Sequence, residues 1–105
     1  MGYLVLISIK LFYVYIIYSN SLDSYYIGQT CDVDKRIAEH NQCIYTHSST
    51  ARTNDWKLVF KLECSSRRQS IRIETHIKKM RSRIYLENLI KYPEISQKLK
   101  IKYTD

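Results

Sequence analysis

Chain breakers are scarce here: 105 residues include two glycines and one proline. That excludes a loop-rich or low-complexity protein and leaves regular elements joined by short connections. Cysteine is equally sparing. Cys31, Cys43 and Cys64 are an odd set with no CxxC pair, which argues against a disulfide scaffold and for a reducing compartment such as the cytoplasm. Cys31, His40, Cys43 and His47 lack the paired-knuckle spacing of structural zinc sites, so buried or half-buried thiols are the simpler reading. Long apolar runs are missing too. Gly2 to Ile9 is stopped by Lys10 after eight residues, with no basic stretch before it and no small-residue cleavage site after it, which fits neither a signal peptide nor a spanning helix. Residues 1–11 read as an extra strand or an apolar extension.

Acid is what the second half lacks. Residues 1–56 carry four Lys/Arg against five Asp/Glu, whereas residues 57–105 carry thirteen against five, so the formal charge of +7 belongs to the second half. From Arg67 to Arg83 seven basic residues surround one acid, Glu74. A field of that sign attracts polyanions, and nucleic-acid phosphate is the commonest of them. Arg67, Arg68, Arg72, Lys78 and Lys79 are the candidate phosphate contacts of this stretch. The bland alternative is a solvated basic helix face. No broad apolar face rich in Trp, Phe or Leu accompanies the charge, so a membrane surface is a poor partner.

The 45% hydrophobic content is enough for a single core and one domain. Residues 12–18 and 24–29 form two β-rich runs around a polar turn of Asn20, Ser21, Leu22 and Asp23, which predicts an antiparallel hairpin with Tyr15 and Tyr26 on neighbouring strands. Asp32 is suited to cap a helix over 32–42, whose modest apolar face is Val33, Ile37 and Ala38. Arg36 and His40, four apart, share one side of it. A loop over 43–54 follows, in which His47, Thr50 and Arg52 would border a substrate groove as further candidate phosphate contacts. In residues 56–62, Trp56, Leu58, Phe60 and Leu62 alternate with Lys57, Val59 and Lys61, the pattern of a strand with one face to the core. A helix over 66–81 carries an apolar stripe of Ile73, Ile77 and Met80, with Glu74 about 60° from Ile77 at its border. A helix over 83–91 and a helical turn or two after Pro93 complete the chain. The expected class is α/β of the α+β type, a three-stranded antiparallel sheet flanked by helices.

Taken in order, these residues resemble the GIY-YIG nuclease family, specifically its small stand-alone members. Tyr13-Val14-Tyr15 stands for the first motif, with Tyr13 and Val14 in place of glycine and isoleucine. Tyr26 of Tyr26-Ile27-Gly28 comes eleven positions after Tyr15, Arg36 comes eight positions after Gly28, and His40 and a helical Glu74 follow. The resemblance runs over residues 12–91, leaving 92–105 as a helical tail. It implies the same sheet and a metal-dependent endonuclease acting on DNA. Branched, flapped or damaged DNA is the substrate expected by analogy with repair relatives, a mobile or restriction element is an equal origin, and RNA stays open beside DNA.

Phosphodiester hydrolysis needs a positioned water, a proton acceptor, and positive charge for the developing phosphorane. By the resemblance, Glu74 holds Mg²⁺ or Mn²⁺, since one hard carboxylate with waters and a phosphate oxygen is a common way to bind Mg²⁺. Alone, Glu74 would read as an i, i+4 partner of Lys78. Arg36 offers a charged planar fork for a phosphate oxygen; alone it would read as a partner of Asp32 or Glu39. Tyr15 is the implied proton acceptor or water-orienting group, which requires nearby positive charge to lower a phenol pKa of about 10. Tyr26 would hold the water or the phosphate, His40 would hydrogen-bond Tyr15 or shuttle a proton, Gly28 would provide backbone clearance, and Asn88 is a weak further candidate. The rival reading is a nucleic-acid-binding module of the same fold that does not cut.

Overall fold

The structure, a computed structural model, describes residues 10–43 and 49–104. The expectation for residues 1–9, and His47, lie outside the described residues. The elements are β1 (Phe12–Ser19), β2 (Ser24–Thr30), α1 (Val33–Asn41), a short 3-10 helix (Ser49–Arg52), β3 (Trp56–Cys64), α2 (Arg67–Met80), α3 (Arg83–Lys91) and α4 (Pro93–Lys102). The sheet order is β2-β1-β3 and both pairings are antiparallel. This is the α+β architecture expected from the sequence. The last helix is longer than the expected turn or two.

β1 is the middle strand, and its run of β-branched and aromatic residues is buried on both faces: Val14, Tyr15, Ile16 and Ile17 are each 0% exposed. Val14 and Ile16 pack with Leu62, Ile73, Ile77, Leu89 and Leu99, whereas Tyr15 and Ile17 pack with Val33 and Trp56. The helices of the C-terminal half therefore cover one face of the sheet and α1 covers the other. Each fully buried aliphatic side chain in these clusters stabilises the fold by about 1.5–3 kcal/mol.

Two sequence expectations are corrected. Trp56, Leu58, Phe60 and Leu62 do not share one face, because a bulge lies between the pairings Ile16↔Phe60 and Ile17↔Leu58. The extra residue reverses the side-chain alternation, so Trp56 joins the Tyr15 cluster, Leu62 joins the Ile16 cluster, and Leu58 is exposed. Met80 leaves the stripe of Ile73 and Ile77 and is exposed, because α2 ends there and Arg81 turns left-handed at φ 47°.

Side-chain caps start three of the helices. Asp32, Ser66 and Ser82 accept from the backbone N–H groups of Lys35, Gln69 and Tyr85. Each cap of this kind contributes about 1 kcal/mol. The β1–β2 turn is tied down at both sides. Asp55 accepts from Ser19 Oγ at 2.5 Å, Thr53 Oγ1 at 2.7 Å and Ser21 N–H at 2.8 Å. Asp23 accepts from Tyr18 Oη and from Arg83 Nη2 of α3, both at 2.5 Å.

The Ser19 and Thr53 hydroxyls and the Ser21 N–H hold the Asp55 carboxyl well below the usual carboxylate range. Its ionised form is therefore bound more tightly in the folded chain than in the unfolded one. That stability is present above the ordinary carboxylate pKa of 3.8 and is lost as pH falls toward the depressed folded value. Thermal melts followed by circular dichroism from about pH 6 down to about pH 2 should show a decline in Tm that is shallower in Asp55→Asn, which should also melt earlier than wild type near neutral pH. Equal slopes for the two proteins would remove Asp55 from this role.

Candidate active site

The antiparallel register sets Tyr15 directly opposite Gly28. A Cβ at residue 28 would fall 2.3 Å from Tyr15 Oη and 2.5 Å from its Cζ. The phenol thus lies across the β2 backbone, and glycine is needed for clearance rather than for an unusual φ. This gives a concrete cause for the expected role of Gly28.

His40 descends from α1 onto the same ring. Its Nε2 lies 2.9 Å from Tyr15 Oη, its Nδ1 lies 2.8 Å from Thr50 Oγ1, and it is 2% exposed. Burial, reinforced by the Arg36 charge one turn earlier and opposed in part by Glu39, pushes His40 below its ordinary pKa of 6.5. A neutral imidazole of this kind has one donor and one acceptor nitrogen. Thr50 is itself 1% exposed. Its carbonyl accepts from Trp56 Nε1 at 2.9 Å, while the Asn41 amide exchanges two hydrogen bonds with the Trp56 backbone. The expectation that Thr50 borders a groove and meets phosphate is therefore corrected: it is a buried partner of His40. Its spacing from His40 carried no periodic signal, so sequence alone could not assign it.

Tyr26 is half-buried on β2. Its ring centroid lies 5.0 Å from that of His40, edge-on, and 6.5 Å from that of Tyr15. Lys78 Nζ of α2 stands 6.0 Å from the Tyr26 centroid and 2.5 Å from Glu74 Oε1. The carboxylate and the phenol therefore flank one ammonium group. Arg36 Nε pairs with Glu39 Oε1 at 3.6 Å and lines a cleft of about 330 Å³ with Thr30, Asp32, Lys35 and Glu39. The side chains of Arg36 and Lys78 are 37% and 49% exposed. Pairs this open are worth about 0–1 kcal/mol, so an incoming phosphate or cation displaces them at small cost. Tyr15, by contrast, is fully buried, and Tyr26 is the phenol that solvent reaches.

The remaining candidates are spread out. Arg52 is exposed in the 3-10 helix, and Arg67 and Arg68 are exposed at the start of α2, with Arg67 5.5 Å from the Phe12 ring centroid. Lys78 belongs with Glu74, whereas Arg72 lies 5.0 Å from the Tyr103 centroid. Lys79 is exposed near the end of α2, and Asn88 is exposed on α3, where its carbonyl accepts from Tyr92 N–H.

Among the described residues no group of three or more His, Cys, Asp or Glu side chains converges as a cage for a metal. A single carboxylate, 17% exposed and paired with Lys78, fits a different mode. Glu74 suits a hard ion such as Mg²⁺ or Mn²⁺, which takes carboxylate, water and phosphate oxygens together.

Two substitutions test the packing of this cluster. Gly28→Ala should destabilise the fold by about 1–3 kcal/mol through overpacking against the Tyr15 ring. Thr50→Val keeps the shape but removes the oxygen at His40 Nδ1, and should cost about 1–3 kcal/mol. Chemical denaturation measures both, and wild-type midpoints in both variants would contradict the geometry.

No curated protein and no solved structure matches the chain significantly. The family model of the GIY-YIG catalytic domain matches residues 11–88, which contain the hairpin, α1, β3, α2 and the first two thirds of α3. With that span of the 105 residues matched, and with the three-stranded antiparallel sheet and its helices in place, the chain belongs to the GIY-YIG family of nuclease-type domains.

Proposed function

We propose that the protein is a divalent-metal-dependent endonuclease that hydrolyses DNA phosphodiester bonds with low sequence specificity. The observation that carries this reading is the grouping of Tyr15, Tyr26 and His40 in one aromatic cluster, with Arg36 on the helix that supplies His40 and Glu74 joined to Tyr26 through Lys78. Low specificity follows from the size of the domain: its exposed cations suit phosphates, which carry no base information directly.

Glu74 is the residue that would hold the ion, which supplies charge neutralisation at a phosphate oxygen. Arg36 places its fork on a non-bridging oxygen and stabilises the charge that builds in the transition state. Tyr26, the phenol open to solvent, orients the attacking water. Tyr15 is the buried member of the pair. With its oxygen on His40 Nε2, it completes a chain along which the water's proton is taken up, and the neutral imidazole has the capacity to receive it. Thr50 holds the other ring nitrogen and so keeps the imidazole aimed at Tyr15. Branched or damaged DNA remains the substrate class that suits a small domain reading backbone shape.

The test is incubation with supercoiled plasmid and branched oligonucleotides, with Mg²⁺ or with chelator. Wild type should nick only with the metal, and Arg36→Ala and Glu74→Ala should each lower the rate by about 10²-fold or more. Nicking that survives both substitutions would assign the activity to a contaminant. Salt-sensitive binding without product under any condition would assign the chain to nucleic-acid binding without cleavage.

A further inference from the structure

Arg72 and His76 stand two residues either side of Glu74, about 200° round α2, and so face away from the cluster described above. There they line a groove of about 400 Å³ with Lys79 and Tyr103, over exposed Ile71 and Met80. Tyr103 lies beyond α4 and outside the span matched by the family, 11–88, so the C-terminal segment adds one wall to a groove whose other lining residues belong to α2.

The segment is firmly placed. Leu99 is buried in the core, and Gln69 Nε2 of α2 donates to the Lys100 carbonyl at 3.1 Å. Tyr103 Oη meets His76 Nδ1 at 2.7 Å, with the Arg72 guanidinium 5.0 Å and Lys102 Nζ 5.6 Å from the Tyr103 ring centroid. Among the described residues no Asp or Glu lines the groove. Arg72 and Lys79 in its lining and Lys102 beside Tyr103 make it positive, and burial, then the Lys102 and Lys79 charges, push His76 below its ordinary pKa.

Cations beside an aromatic ring and an apolar floor match one ligand chemistry, a phosphate joined to a flat base. Arg and Lys meet the phosphate, and the ring, aliphatic and thioether surfaces meet the base. A groove of this volume falls in the small-ligand range, which admits a nucleotide unit and not a paired duplex.

We propose that the groove between α2 and Tyr103 is a second nucleic-acid site that holds an unpaired nucleotide of the substrate strand, its phosphates on Arg72 and Lys79. The proposal rests on the nuclease reading and extends it to the substrate. A strand anchored on the face of α2 opposite Glu74 must pass round the helix, which favours substrates with a single-stranded arm over continuous duplex.

The experiment is fluorescence anisotropy of a labelled oligo(dT) of about ten nucleotides, titrated with the full chain over a range of NaCl concentrations. Combining Arg72→Gln with Lys79→Gln should weaken binding at least about fivefold and reduce the slope of log K against log salt by about 0.7 for each cation removed. Tyr103→Leu should lower affinity about tenfold with the slope unchanged, because stacking releases no counterions. Should Tyr103→Leu fail to fold, the double variant decides, since both of its side chains are exposed. Oligonucleotide binding that keeps its affinity and slope in the double variant would overturn the proposal, as would equally effective competition by poly-glutamate. Plasmid nicking is read in parallel. Nicking with unchanged slopes would sink the groove alone, and no nicking despite variant-sensitive oligonucleotide binding would sink the nuclease reading and leave the groove standing.

Discussion

One hydrogen bond organises this domain, from Tyr15 Oη on the middle strand to His40 Nε2 on α1. Both residues are almost wholly buried, where an unpaired polar group costs far more than it does in water. The bond therefore dictates its surroundings. β2 needs glycine opposite Tyr15 so that the ring can lie across its backbone. The segment between α1 and β3 must bring Thr50 to the second ring nitrogen. Trp56 then closes over Thr50 and carries β3 into the sheet. A hairpin, a helix, a loop and a strand are held in register by one satisfied imidazole.

Around that rigid centre the charged groups are loosely held. Arg36 and Glu74 sit in partly exposed pairs with Glu39 and Lys78, which contribute little to stability and cost little to open. Buried polar groups with fixed partners and shallow ion pairs at the rim suit a site that must accept a charged ligand without rebuilding its scaffold. Helix α2 serves both sides: Ile73 and Ile77 anchor it in the core, Glu74 and Lys78 turn toward Tyr26, and Arg72 and His76 turn toward Tyr103.

The sequence revealed much of this where the signal was local. The β-rich runs around Asn20–Asp23 gave the hairpin, the Asp32 cap gave α1, and the four-residue spacing of Arg36 and His40 gave their shared side. The resemblance to the GIY-YIG pattern supplied the link from Tyr15 to His40. Features that depend on distant residues were not legible. Thr50 lies in a stretch without periodicity, so nothing marked it as a buried partner of His40. The bulge in β3 follows from its pairing with β1, and strict alternation therefore assigned Trp56 and Leu62 to one face. The four contacts on Asp55 join residues 19, 21 and 53, and the full burial of Tyr15 required coverage from both sides of the sheet. Tyr103 gave no sign of its place against α2, because only the packing of α4 brings it there.

The most direct test of the central interaction is an NMR titration of the His40 ring nitrogens and carbons in the folded protein. Burial and the Arg36 charge predict a midpoint below the ordinary value of 6.5 and a single fixed tautomer at neutral pH. A midpoint at or above that value, with the two nitrogens averaging as in a solvated imidazole, would contradict the buried Tyr15–His40 bond and the account built on it.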